Sequence, residues 1–160
     1  MVSLRTKKTF SDFRYFLALG FGSGLSPPAP GTAGTVAALP IVIAMLLLDP
    51  WLYAGITLVL LAVGIPLCDW VARDMAVKDP GCIVWDEIVG MLIAAWYLPG
   101  LLWLPLAFVL FRIFDIWKPW PVSWCDKHLA GGMGIMLDDV AAGFYSLAIL
   151  QVVAWGVALI

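Results

Sequence analysis

Apolar residues occupy this chain in long blocks, at about residues 33–48, 51–68, 82–98, 101–117 and 137–160, with Pro, Gly and charge clustered between them. Blocks of this length predict helices whose solvent is lipid. The fold class read from the pattern is all-α: a polytopic membrane helical bundle of about five transmembrane helices. A run of 16 residues rises about 24 Å, short for a bilayer, so local thinning or a partly re-entrant first segment is expected. Residues 9–20, TFSDFRYFLALG, predict a short N-terminal interfacial or re-entrant helix with aromatics in lipid beside Arg14. No internal repeat divides the chain, and residues 1–160 read as a single integral membrane domain.

Composition agrees with that solvent. The 160 residues are 63% hydrophobic and 12% charged, and the mean hydropathy is +1.00. A net charge of −2 excludes a basic nucleic-acid surface, and nine Trp with four Tyr suit the aromatic belts at a bilayer interface. Cys68, Cys82 and Cys125 have no CxxC spacing, which argues against a disulfide framework or a zinc site. The nine Lys and Arg fall in the N-terminal tail, in residues 69–81, at Arg112 and in residues 118–134. The turns Asp49-Pro50 and Pro99-Gly100 carry none. The positive-inside rule therefore places the N-terminus in the cytoplasm and the C-terminus outside. The break at GSGLSPPAPG argues for a cytosolic anchor rather than a cleaved signal peptide.

Against this apolar background the acids stand out. Asp86 and Glu87 open the third run, Asp115 closes the fourth, and Asp138 and Asp139 open the fifth, all toward the cytoplasmic face. Counted back from the Pro99-Gly100 turn, Asp86 and Asp115 lie about 20 Å away on antiparallel helices, at matching depth. Neighbouring helical residues point about 100° apart, so each doublet can send one carboxylate inward and keep the other beside it. Converging carboxylates repel unless neutralised, and an all-oxygen donor set suits Mg²⁺ better than zinc. The competing reading is a set of solvated helix ends, with Asp138 and Asp139 favouring a helix dipole.

Arg112, Asp115 and Lys118 share one helical face just before Pro119. That grouping suits a phosphate held beside a metal, and equally an Arg112–Asp115 ion pair with Lys118 snorkelling to the interface. The stretches GFGSGLSPPAPGTAG and AGGMGIM are rich enough in glycine to offer backbone N–H groups to an anion, although hinges and close helix packing account for such glycines too. If a phosphate is the ligand, chemistries that use a protein nucleophile on it fit poorly. No Arg follows a cysteine by six positions, no pair of acids is separated by one residue at a strand end, and His128 is the single histidine. A metal-activated water is the most economical nucleophile left. A rival of another class is a cation- or proton-coupled membrane carrier using the same buried acids, but the external half of the chain has almost no polar residues. The DxxDG pattern of phosphatidyl transferases is missing.

Five blocks carry a more specific signal: GFGSGLSP at 20–27, PGTAG at 30–34, IVWDEIVGM at 83–91, FRIFDIWKPWP at 111–121 and GGMGIMLDDVAAG at 131–143. Together they make the chain resemble the phosphatidylglycerophosphatase A family of bacterial lipid phosphatases, with no departure in those blocks. The resemblance implies hydrolysis of phosphatidylglycerol phosphate to phosphatidylglycerol and inorganic phosphate with Mg²⁺ at the inner membrane. Its acidic motifs fall on Asp86, Glu87, Asp115, Asp138 and Asp139 and its basic ones on Arg112 and Lys118. On this reading Asp86, Glu87, Asp138 and Asp139 are the expected metal ligands. Asp115 joins them or orients the attacking water, and Arg112 and Lys118, with backbone amides from Gly22, Ser23 and Gly24, meet the phosphate.

Overall fold

The computed structural model describes residues 2–158, and the regular elements among them are all helical. The last two residues of the fifth apolar run lie outside the described residues, as does the side chain of Arg5 in the basic tail. The N-terminal segment forms two short helices, α1 (Val2–Ser11) and α2 (Phe13–Ala18), where one had been expected over residues 9–20. Asp12 causes the break. It adopts an extended conformation, and its carboxylate accepts the Arg14 N–H at 2.9 Å, capping α2 and stopping α1. A 3-10 turn over Gly20–Leu25 leads into α3 (Pro30–Met45).

α4 (Pro50–Asp74) starts on a proline that has no N–H to satisfy, and Asp49 accepts from the N–H groups of Trp51 and Leu52. α5 (Trp85–Ala94) is the third apolar run, and α6 (Leu104–Trp117) is the fourth. α6 stops because Lys118 takes the left-handed conformation, with φ 47°, and Pro119 follows. The basic loop beyond it contains a further helix, α7 (Val122–His128), before α8 (Gly131–Ala158) closes the chain.

α5 is the centre of the bundle. It packs against α3, α4, α6 and α8, and every residue from Ile88 to Ala94 is buried. All five apolar runs are helical, yet among the described residues only α4 and the 131–157 stretch of α8 are long and apolar enough to cross a membrane. α3, α5 and α6 have 16, 10 and 14 residues, or about 24, 15 and 21 Å of rise. α5 is cut short at both ends. The Val84 N–H is drawn 2.9 Å from the Ala18 carbonyl before the helix starts, and Tyr97 at positive φ follows its end.

The helices run back and forth between two chemically different ends. At the far end, Tyr53 donates to the Leu92 carbonyl at 2.8 Å, Trp96 to the Pro50 carbonyl at 2.9 Å and Gln151 to the Tyr97 carbonyl at 3.2 Å. Exposed Trp51 and Trp155 ring that end, and exposed Trp117, Trp120 and Trp124 ring the other, the distribution expected of two interfacial belts. At the other end the ionic contacts gather, including Lys8 with Asp74 and Arg73 with Asp69.

α5 and α8 approach closely because glycines face each other. A Cβ at Gly90 would stand 2.6 Å from the Phe111 ring and 2.9 Å from the Asp139 carbonyl, and one at Gly143 would stand 2.6 Å from the Gly90 carbonyl. Gly90→Ile is therefore expected to lower stability by about 1–3 kcal/mol, read as a reduced thermal midpoint in detergent. Gly55→Ala, where a Cβ meets nothing within 4 Å, should leave the midpoint unchanged or higher. An unaltered midpoint for Gly90→Ile would refute the close-packed contact.

Candidate active site

The first turn of α5 carries Asp86 and Glu87, where the positive end of the helix dipole favours acids. α8 brings Asp139 against them from the next helix. Its own start is held to α4 by Asp69, whose Oδ1 accepts the Gly132 N–H at 3.1 Å. Asp86, Glu87 and Asp139 each present an oxygen within 4.8 Å of the others. Asp139 is buried, and Oδ1 of Asp86 and Oε2 of Glu87 are buried without a hydrogen-bond partner in the structure. Buried carboxylate oxygens this close repel unless they are protonated or a cation lies among them. An all-oxygen donor set of this geometry fits a hard divalent cation such as Mg²⁺.

Two cations flank the cluster, each engaged with acids. Arg112 Nη1 donates to Asp115 Oδ2 at 2.5 Å along α6, and Asp115 in turn lies close enough to Asp139 for their carboxylates to interact. The same Nη1 donates to the Thr35 hydroxyl on α3 at 3.4 Å, while the Arg112 Nε is buried with no partner. Lys118 Nζ bridges Asp126 of α7 at 2.8 Å and Asp138 of α8 at 2.7 Å. Burial by itself pulls the Lys118 pKa down. The hydrogen bonds to Asp126 and Asp138 outweigh it and hold the ammonium above the usual lysine range.

The structure thus separates residues that the sequence had grouped. Of the four expected ligands, Asp86, Glu87 and Asp139 come together. Asp138 turns aside, giving Oδ2 to Lys118 and Oδ1 to the Asp139 N–H at 3.0 Å. The cause is the rotation between adjacent helical residues, which lets one carboxylate of the pair face α5 while the other faces α6 and α7. In the segment of Gly22, Ser23 and Gly24 the polar groups are engaged locally. The N–H groups of Gly22 and Gly24 both donate to the Leu19 carbonyl at 3.0 Å, and the Ser23 hydroxyl donates to the Gly20 carbonyl at 2.8 Å. Gly24 packs against the Cys82 carbonyl, so this segment braces the entry to α5. His128 stacks on Trp124 at 5.2 Å in α7.

Three residues at the site were absent from the charge-based reading: Thr35, Asp126 and Asp69. Thr35 has a faint sequence signal, since it directly follows the PGTAG block and is a polar residue in an apolar run. Asp69 and Asp126 resemble any loop-side acid until the chain folds.

With the geometry in view, the relatives of the chain can be placed beside it. The family model described as Phosphatidylglycerophosphatase A matches residues 16–154, a span that holds the three clustered acids, Arg112 and Lys118. The chain is 47% identical over 149 residues to the phosphatidylglycerophosphatase A of Escherichia coli (strain K12), covering 91% of this chain and 86% of that one. It is 44% identical over 139 residues to the phosphatidylglycerophosphatase A of Haemophilus influenzae, covering 85% of each. It is also 40% identical over 151 residues to a putative phosphatidylinositol-3-phosphatase of Bacteroides thetaiotaomicron, covering 87% of this chain and 92% of that one. No solved structure matches it. A match along nearly the whole chain, together with relatives this similar over most of its length, means that the chain belongs to the phosphatidylglycerophosphatase A family.

Proposed function

We propose that this enzyme hydrolyses phosphatidylglycerol phosphate to phosphatidylglycerol and inorganic phosphate, with Mg²⁺, at the cytoplasmic face of a bacterial inner membrane. The observation that carries the reading is the cluster of Asp86, Glu87 and Asp139 beside Arg112, in a chain whose relatives include two phosphatidylglycerophosphatases A. Asp86, Glu87 and Asp139 are the residues that would hold the metal. When bound, Mg²⁺ supplies Lewis acidity toward the phosphoryl oxygens and offsets the repulsion among the three carboxylates.

The chain's own residues account for the rest. Arg112 presents a buried, unpartnered Nε and with it a guanidinium edge suited to two phosphoryl oxygens. Asp115 has one oxygen engaged by Arg112, and its other oxygen is the acceptor that orients the attacking water. Water adds to phosphorus, the bond from phosphorus to the glycerol oxygen breaks, and that oxygen takes up a proton. Asp138 and Lys118 act by position, holding the α8 turn that carries Asp139 against α6 and α7. The bundle meets the bilayer through five apolar segments. α3, α5 and α6 share the crossing with the two long helices, and the N-terminus and the site lie on the cytoplasmic side.

A carrier would need a polar route to the far end. Among the described residues, the polar groups toward that end include Tyr53, Thr57, Ser146 and half-buried Gln151, and each donates to a backbone carbonyl.

Phosphate release from phosphatidylglycerol phosphate by the purified chain is expected to require Mg²⁺, to stop with EDTA, and to exceed release from phosphatidylinositol 3-phosphate. Asp139→Asn or Asp86→Asn should lower kcat on the order of 10³-fold, whereas Asp138→Asn should cost only about tenfold. Equal losses at positions 138 and 139 would put Asp138 back among the ligands, and EDTA-resistant release would remove the metal. Orientation is checked separately: a reporter active only outside the cytoplasm should work when fused after Ile160 and fail when fused after Lys78. The opposite pattern would invert the topology.

A further inference from the structure

The side of the site formed by α3 is built around a missing side chain and a buried hydroxyl. A Cβ at Gly31 would run into Glu87 Oε1 and stand 3.3 Å from both Nη1 and Nη2 of Arg112. Four residues later, on the same helical face, Thr35 is 0% exposed. Its hydroxyl donates to the Gly31 carbonyl at 2.9 Å, which leaves an oxygen lone pair to accept Arg112 Nη1 at 3.4 Å.

Arg112 is therefore held by one nitrogen from two sides. Nη1 is shared between Asp115 on its own helix and Thr35 on α3. The guanidinium is planar, so fixing Nη1 fixes the opposite edge, where the Nε and Nη2 hydrogens point in parallel. Nε on that edge is buried and without a partner. Two parallel N–H groups are the arrangement that grips two oxygens of a phosphoryl group. A threonine in an apolar helix satisfies itself by bonding to the carbonyl four residues back. That bond alone does not explain the contact with Arg112, nor why the α3 backbone comes so near Glu87.

We propose that Gly31 and Thr35 are positioning residues for the phosphoryl group: Thr35 aims the Nε–Nη2 edge of Arg112, and Gly31 keeps clear the space into which Glu87 and Arg112 project. The inference rests on the phosphatase reading above and extends it to α3, a helix that contributes no charge to the site. Gly31→Ala displaces the Glu87 carboxylate, the mobile partner of the collision, and crowds the fork of Arg112. Thr35→Val keeps the shape of the side chain and removes both hydroxyl bonds, whereas Thr35→Ser retains the hydroxyl.

The test uses the full chain in detergent with Mg²⁺ and phosphatidylglycerol phosphate, with inorganic phosphate as product inhibitor. Thr35→Val is expected to lower kcat about tenfold and to raise the inhibitory phosphate concentration by a similar factor, and Thr35→Ser to recover most of both. Gly31→Ala is expected to cost on the order of 100-fold in kcat while helical content and thermal midpoint stay near wild type. A Thr35→Val enzyme with wild-type kcat and phosphate inhibition overturns the proposal, and so does a Thr35→Ser enzyme no better than Thr35→Val. A folded wild-type chain that releases no phosphate would remove the phosphatase reading. Direct binding of inorganic phosphate then decides the role of Thr35: weaker binding by Thr35→Val supports it, and equal binding overturns it.

Discussion

Three carboxylates with oxygens within 4.8 Å of one another in an apolar bundle, Asp139 buried and Asp86 and Glu87 half-buried, repel one another and have lost part of the hydration that normally keeps acids charged. The polar end of this protein is organised around that cost. Arg112 is engaged by Asp115, and Lys118 is engaged by Asp126 and Asp138. Both cations are thus engaged by flanking acids, and none of the ion pairs among the described residues involves Asp86, Glu87 or Asp139. In the function proposed here a divalent cation would offset that repulsion, and a phosphate beside it would meet the Nε edge of Arg112. The same arrangement explains why α5 is enclosed on all sides: the first turn carries the acids, and the rest of the helix is the apolar core that holds them still.

Holding acids at one depth requires close helix contact. α5 reaches α8 through Gly90 and Gly143, and without side chains at those points the two backbones come near enough for Asp139 to face Asp86 and Glu87. The far end is tied by hydrogen bonds from Tyr53, Trp96 and Gln151 to backbone carbonyls, which satisfy groups that would otherwise be stranded beside lipid. The N-terminal pair α1 and α2 adds a cover at the polar end, where Tyr15 donates to Asp74 at 2.6 Å and Arg14 lies 3.5 Å over the Trp70 ring.

A lipid phosphatase has to meet a charged headgroup whose tails remain in the bilayer. On the proposed reading, a site at the end of an apolar bundle, beside exposed tryptophans, would bring the reacting group to that boundary without a tunnel through the protein.

The sequence by itself determined the all-helical class and the apolar runs that suit a lipid solvent, because hydrophobic runs and their punctuation are local properties of the chain. It also pointed to Asp86, Glu87, Asp115 and Asp139, since an acid in an apolar run has few structural excuses. Rotation about the helix axes lay beyond its reach. Asp138 and Asp139 are indistinguishable as letters, and the facing helices alone decided that one meets Lys118 and the other meets Glu87. Gly22, Ser23 and Gly24 had the composition of an anion loop, and only the fold committed the Gly22 and Gly24 amides to the Leu19 carbonyl and the Ser23 hydroxyl to that of Gly20. Asp126 carries no signal of its own, and the PGTAG block with Thr35 after it marks Gly31 and Thr35 without saying what they touch; contacts between residues up to 77 positions apart gave them their places, because side-chain direction and helix packing are properties of the assembled bundle.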